Sequence, residues 1–148
     1  MNALELLKQD HQTVAELFEQ AEQTQNEKQK HKLFEQIKTE LETHTRIEET
    51  VFYPKLEEYE ELKDMVLEAY EEHKQVKTLL REISALTANS EKFDAKLKVM
   101  KENVEHHVEE EENEMFPEVQ NCLSTMDLDE LGQELAAAKK DKTRTARS

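Results

Sequence analysis

Only one glycine and two prolines occur in 148 residues, and tryptophan is absent. A many-stranded sheet needs turn residues at every reversal, so an all-β fold is excluded on this count. The single cysteine, Cys122, cannot close an internal disulfide and reads as a half-buried small side chain without a redox role. No stretch approaches the ~18 apolar residues of a membrane span, and the start, MNALELLKQDH, lacks the basic and then apolar layout of a signal peptide. The expected compartment is the cytoplasm. Positive charge is scarce too, with 20 Lys and Arg against 35 Asp and Glu and a net charge of −15. Five of those basic residues and one Asp fall in residues 139–148, leaving −19 on the first 138. Such a body repels phosphate backbones and anionic lipid, so neither nucleic acid nor a membrane is an expected partner. The basic tail, residues 139–148, has no aromatic residue and no apolar face and is expected to be disordered.

What the chain has in quantity is glutamate and apolar residues at helical spacing. A first stripe runs through Leu4, Leu7, Val14, Leu17, Phe18 and Ala21, with Asn2 and Glu5 placed as a capping box. A second, Leu33 to Phe52, is expected to end or kink at Tyr53-Pro54, because proline cannot continue the hydrogen-bond ladder. A third covers about Glu60 to Leu86. The TANS break caps a fourth, which is expected to end at Phe116-Pro117. Asp127 and Glu130 are expected to cap a short fifth helix. The fold class is therefore all-α, an up-down-up-down four-helix bundle over residues 1–118, with a short C-terminal helix at 119–138 and the tail at 139–148.

The chain also repeats itself. HTRIEETVFYP, His44 to Pro54, lies over HVEEEENEMFP, His107 to Pro117, and DHQTVAEL from Asp10 lies over EHKQVKTL from Glu72. Each half is a helical hairpin with a histidine on its first helix and HxxxE on its second. Residues i and i+4 share a helix face, so His44 with Glu48 and His107 with Glu111 each aim a nitrogen and a carboxylate the same way. His31 with Glu35 and His106 with Glu110 repeat the spacing. Their phase differs, however: at roughly 100° per residue, His31 is turned about 140° from the stripe of His44, and His106 about 100° from His107. Both are expected at the surface.

In an antiparallel bundle His11, His44, His73 and His107 fall at one level, roughly 14 to 18 Å from the same end. Neither helix formation nor core packing requires that coincidence. Four neutral imidazoles and two carboxylates suit two divalent ions bridged by the two Glu, with a hydroxide to complete the charge. The mixed nitrogen and oxygen donors fit iron or manganese better than copper(I) or calcium. Iron storage or metal buffering, a bundle that only binds another protein, and a bis-histidine haem are the competing classes. The protein-binding reading leaves the level histidines unexplained, and the haem needs no carboxylates.

In these residues the chain resembles the hemerythrin-like, or HHE cation-binding, domains over about residues 1 to 117, with the order H, HxxxE, H, HxxxE and a proline six residues after each Glu. The resemblance implies a non-haem, oxo- or hydroxo-bridged pair of iron ions, with His11 and His44 on one, His73 and His107 on the other, and Glu48 and Glu111 as bridges. The oxygen-carrying members have a second histidine four residues after the one on the third helix, where this chain has Lys77, and an Asp one residue beyond Glu111 as the second bridge. The implied function is therefore binding, sensing or reaction with dioxygen, peroxide or nitric oxide, ahead of reversible oxygen carriage. Peroxide decomposition or nitric-oxide chemistry would be its enzymatic form. Lys77 has two readings: its stem packs along the bundle while the ammonium reaches toward an exposed end or pairs with a Glu on a neighbouring helix, or the ammonium reaches the metal and stabilises a bound anion.

Overall fold

The computed structural model describes residues 1–141, and among them every regular element is helical. Helix α1 (Ala3–Gln23) opens with the expected capping box, the Asn2 side chain accepting from the Glu5 backbone N–H and Glu5 accepting from that of Asn2. Helix α2 (Glu27–Ile47) is capped by Asn26, and helix α4 (Glu91–Glu110) by Ser90 of the TANS break. Helix α3 (Lys63–Ser84) begins after a 3-10 turn at Glu60–Leu62, so its α-helical part starts slightly later and ends slightly earlier than the stripe alone indicates. Consecutive helices pack as two hairpins, α1 on α2 and α3 on α4.

The two prolines do not end their helices. Tyr53 N–H reaches back five residues to the Glu48 carbonyl, and Phe116 N–H does the same to that of Glu111, making π-helical turns at Glu48–Phe52 and Glu111–Met115. Pro54 and Pro117 follow as first-turn residues of short continuations, Tyr53–Leu56 and Phe116–Cys122, where a missing N–H costs nothing. The wider turn accommodates the proline ring that would otherwise meet the carbonyl four residues back. Helix α5 (Thr125–Lys140) also departs from expectation at both ends. Ser124 is its N-cap with Asp127 as the N3 partner, since a serine three residues earlier already completes the box. Lys139 and Lys140, assigned above to the tail, close the helix, where cations meet the negative end of the dipole. The remainder of the expected tail, residues 142–148, lies outside the described residues.

Leu128, Leu131, Leu135 and Ala138 bury the apolar face of α5 in the same cluster as Leu7, Ile47, Phe52 and Val66. The only glycine sits at this contact: a Cβ on Gly132 would lie 2.5 Å from the Met1 carbonyl oxygen. A second apolar cluster, with Phe18, Phe34, Ile37, Leu80, Phe93 and Met100, fills the far end of the bundle. Each of the four level histidines falls between the clusters: His11 between Leu7 and Val14, His44 between Leu41 and Ile47, His73 between Ala69 and Val76, His107 between Val104 and Met115. The bundle is thus two hydrocarbon plugs with one polar layer between them.

Candidate metal centre

All six residues singled out from the sequence are buried in that layer, and Glu48 and Glu111 are 0% and 1% exposed. The four imidazoles turn Nε2 inward. Glu48 Oε1 lies 3.3 Å from His44 Nε2 and 3.1 Å from His73 Nε2, so one carboxylate spans α2 and α3. Glu111 spans the other pair, with Oε1 3.1 Å from His11 Nε2 and Oε2 3.3 Å from His107 Nε2. Ligand atoms of His11, His44, Glu48 and Glu111 fall within 4.8 Å of one another, as do those of Glu48, His73 and His107. His31 and His106 are exposed, as their helical phase requires.

Each ring's outward nitrogen meets a carboxylate that the sequence reading did not single out. His11 Nδ1 lies 2.6 Å from Glu112, His44 Nδ1 3.1 Å from Asp10, His73 Nδ1 2.6 Å from Glu49, and His107 Nδ1 2.6 Å from Glu72. Every one of these bonds crosses between helices. An imidazole that donates Nδ1–H to a carboxylate keeps its Nε2 lone pair for a metal and is held in orientation, the usual support of a histidine ligand. The signal was present in the repeat, since Glu49 and Glu112 follow the two spanning glutamates and Asp10 and Glu72 precede the first-helix histidines. Lysines back two of the carboxylates: Lys139 of α5 lies 2.5 Å from Asp10, and Lys77 lies 3.0 Å from Glu49. The first reading of Lys77, pairing with a Glu on a neighbouring helix, is the one observed. The ammonium acts on His73 through Glu49.

Tyr53 was missed as well. Its buried hydroxyl donates to Glu111 Oε2 at 2.6 Å and lies 3.3 Å from His73 Nε2 and 3.5 Å from His107 Nε2. The repeat puts Phe116 at the matching position, and that ring stacks on His11 at 6.3 Å. The two halves of the layer are therefore chemically unequal. One contains a hydroxyl and the other a hydrocarbon face.

Buried polar atoms pair as a rule. Here His11 Nε2, His44 Nε2, both oxygens of Glu48 and Glu111 Oε1 have no hydrogen-bond partner among the described residues, although they converge on a common centre. Buried acceptors left facing one another are costly unless a cation binds them, so the donor set fits a metal. The charges agree. Burial opposes the charged form of His44, yet the Glu48 charge and the hydrogen bond that the ring donates to Asp10 hold its imidazole up to about 10. His107 is likewise raised, against burial, by Glu111. Glu111 is held well below the usual carboxylate range, burial being outweighed by His107. Without a cation, protons on His44 and His107 would offset the Glu48 and Glu111 charges. On the far-cluster side of the rings lies a cavity of about 30 Å³, with Val14, Leu41, Val76, Val104 and Val108 in its wall. That is room for about two water-sized atoms.

Four inward imidazole nitrogens, two spanning carboxylates and a shell that fixes each ring define a helical-bundle metal-binding protein. The hemerythrin HHE cation-binding domain matches residues 2–119, and the chain belongs to that family. It is 30% identical, over 94% of its length, to a DNA nickase of Nostoc, and 37% identical over 57% to an uncharacterized hemerythrin-like protein of Schizosaccharomyces pombe. The chain spans only 39% and 43% of those two relatives. It is similar across 95% of its length, with a TM-score of 0.81 and 30% identity, to the crystal structure of a hemerythrin HHE cation-binding-domain protein of Mycobacterium kansasii, covering 86% of that chain.

Proposed function

We propose that the chain is a non-haem di-iron protein that binds, senses or reacts with a small oxidant such as dioxygen, peroxide or nitric oxide. The observation that carries this reading is the convergence of unpartnered atoms of His11, His44, Glu48 and Glu111, together with a second group of ligand atoms, from His73 and His107, that shares Glu48. His11 and His44 would hold one ion and His73 and His107 the other, with Glu48 and Glu111 bridging. Bound iron would supply one-electron chemistry and coordination positions open to a ligand. The chain's own residues do the rest. Asp10, Glu49, Glu72 and Glu112 hold the rings, the valine-walled cavity admits a diatomic and excludes larger substrates, and Tyr53 offers a proton donor on one side only. The DNA chemistry named for the Nostoc relative finds no support in a body of −19, which opposes a phosphate backbone. No helix among the described residues is long and apolar enough to cross a membrane. With one cysteine and no disulfide, we assign the chain to the cytoplasm.

Metal analysis after iron loading tests the reading. Two irons per chain are expected, with a near-ultraviolet band that changes when nitric oxide or peroxide is added. His44→Ala should lose iron and His31→Ala should retain it. A count near zero, or a count near one that is unaffected in His44→Ala, would refute the di-iron centre. Many irons per chain would favour storage instead.

A further inference from the structure

Outside the inner layer, one cluster of metal-ligating side chains has no part in the function above. His106 Nε2 lies 2.7 Å from Glu110 Oε1, one turn along the surface of α4. Glu72 of α3 faces them, and ligand atoms of all three lie within 4.8 Å of one another. Glu72 is also the carboxylate whose Oε1 holds His107 Nδ1, so it belongs to both the surface cluster and the support of the inner layer.

A second observation gives this cluster a direction. Between α3 and α4 runs a crevice of about 40 Å³ whose walls carry five carboxylates, those of Glu68, Glu72, Glu110, Glu111 and Glu114. Glu68 and Glu114 are exposed, Glu72 and Glu110 half-buried, while His107 and Glu111, which also line it, are buried members of the inner layer. Glu111 is 1% exposed and has an oxygen without a hydrogen-bond partner. Exposure thus falls along one line of ligand-type side chains, from solvent to His107 and Glu111, two buried members of the inner layer; the unpartnered oxygen of Glu111 lies beyond them, beside His11. No lysine or arginine lines this crevice. The opposite approach to the imidazoles passes the valine-walled cavity, where a hydrated dication would have to shed its water against hydrocarbon.

We propose that His106, Glu110 and Glu72 form a transit site for a hydrated divalent transition-metal ion, which then passes down the crevice to the inner layer. One imidazole and two carboxylates suit a borderline ion such as iron(II) or cobalt(II). Three protein ligands on a water-exposed face leave several waters in place, so the ion is held weakly enough to move on. The wall carboxylates raise its local concentration as a like-charged cleft does for any counter-ion. The transfer is a ligand exchange with no change of oxidation state, and His107 and Glu111 receive the ion.

This inference rests on reading the inner layer as a metal centre, and the two are separable with anaerobic cobalt(II) added to the chelator-treated full chain. Equilibrium dialysis should show tightly held ions that are lost in His44→Ala, and one further weak ion that is lost in His106→Gln/Glu110→Gln. Stopped-flow absorbance should show uptake into the tight sites slowed about tenfold in His106→Gln/Glu110→Gln at low salt, with the final tight stoichiometry unchanged. Glu68→Gln/Glu114→Gln should also slow uptake while keeping the weak ion. An equal uptake rate or a retained weak ion in His106→Gln/Glu110→Gln overturns the transit site, whatever the tight count. Absence of tight ions from the wild type overturns the inner reading and the transit role with it, and a weak ion still lost in that double variant then marks a surface site only.

Discussion

Stripping the metal should reverse the pH dependence of stability. In the metal-free protein, burial opposes a charge on His44, but Glu48 and Asp10 more than offset it and hold the imidazole at about 10 against an ordinary 6.5. A group whose folded pKa is raised stabilises the fold fully below the unfolded value and loses that contribution as pH rises through the folded one. The window is therefore from 6.5 to about 10. At ~1.4 kcal/mol per pH unit for one proton, His44 alone removes roughly 3 kcal/mol between pH 7 and 9 and about 5 kcal/mol across the whole window. His107 shifts in the same direction and adds to the slope. Bound metal has the opposite effect. It keeps the folded imidazoles unprotonated, depressing their effective pKa, so its contribution is full above about pH 6.5 and falls away as the solution is acidified. Urea titrations at pH 6, 7, 8 and 9, on chelator-treated and iron-loaded protein, measure both slopes. Calorimetry of metal binding at pH 7.5 in two buffers of different ionisation heat counts the protons released, with at least about one per chain expected. Metal-free stability that rises from pH 7 to pH 9, or metal binding that releases no proton, would refute the reasoning. Metal-free His44→Gln should lose most of the slope.

Three substitutions probe the supports of the layer. Tyr53→Phe removes the donor to buried Glu111 Oε2 and should destabilise the metal-free protein by about 1–3 kcal/mol; an unchanged melt would dismiss that bond. Lys139→Met removes the partner of Asp10 and should weaken zinc or iron affinity by roughly tenfold with little change in stoichiometry. Equal affinity would separate α5 from the site. Gly132→Ala gains about 1 kcal/mol of helix propensity but drives a Cβ onto the Met1 carbonyl. A net loss of about 1–2 kcal/mol is expected, and a denaturation midpoint at or above that of wild type would refute the close approach.

Periodicity alone made the helices and their pairing legible, because a 3.6-residue stripe has one way to be buried and short links leave antiparallel neighbours. The internal repeat made the site legible too. His11, His44, Glu48, His73, His107 and Glu111 could be named without coordinates because their positions in two matched hairpins put them at one height. His31 and His106 could be set apart by helical phase. What the sequence did not determine was anything that depends on contact across helices. Asp10 sits beside His11 in the chain yet bonds His44, and Glu72 sits beside His73 yet bonds His107. The repeat sets Asp10, Glu49, Glu72 and Glu112 at matched positions, but in a chain with 29 Glu it does not tell which histidine each one meets. Pro117 was misleading for a related reason: a ring that breaks an α-helical ladder can be absorbed by a π-helical turn, as at Glu111–Met115. The placement of Lys77 on Glu49, of Lys139 on Asp10, and of the Tyr53 hydroxyl on one half of the layer only was decided by tertiary structure. Side-chain reach and burial select among partners that the sequence makes equally available.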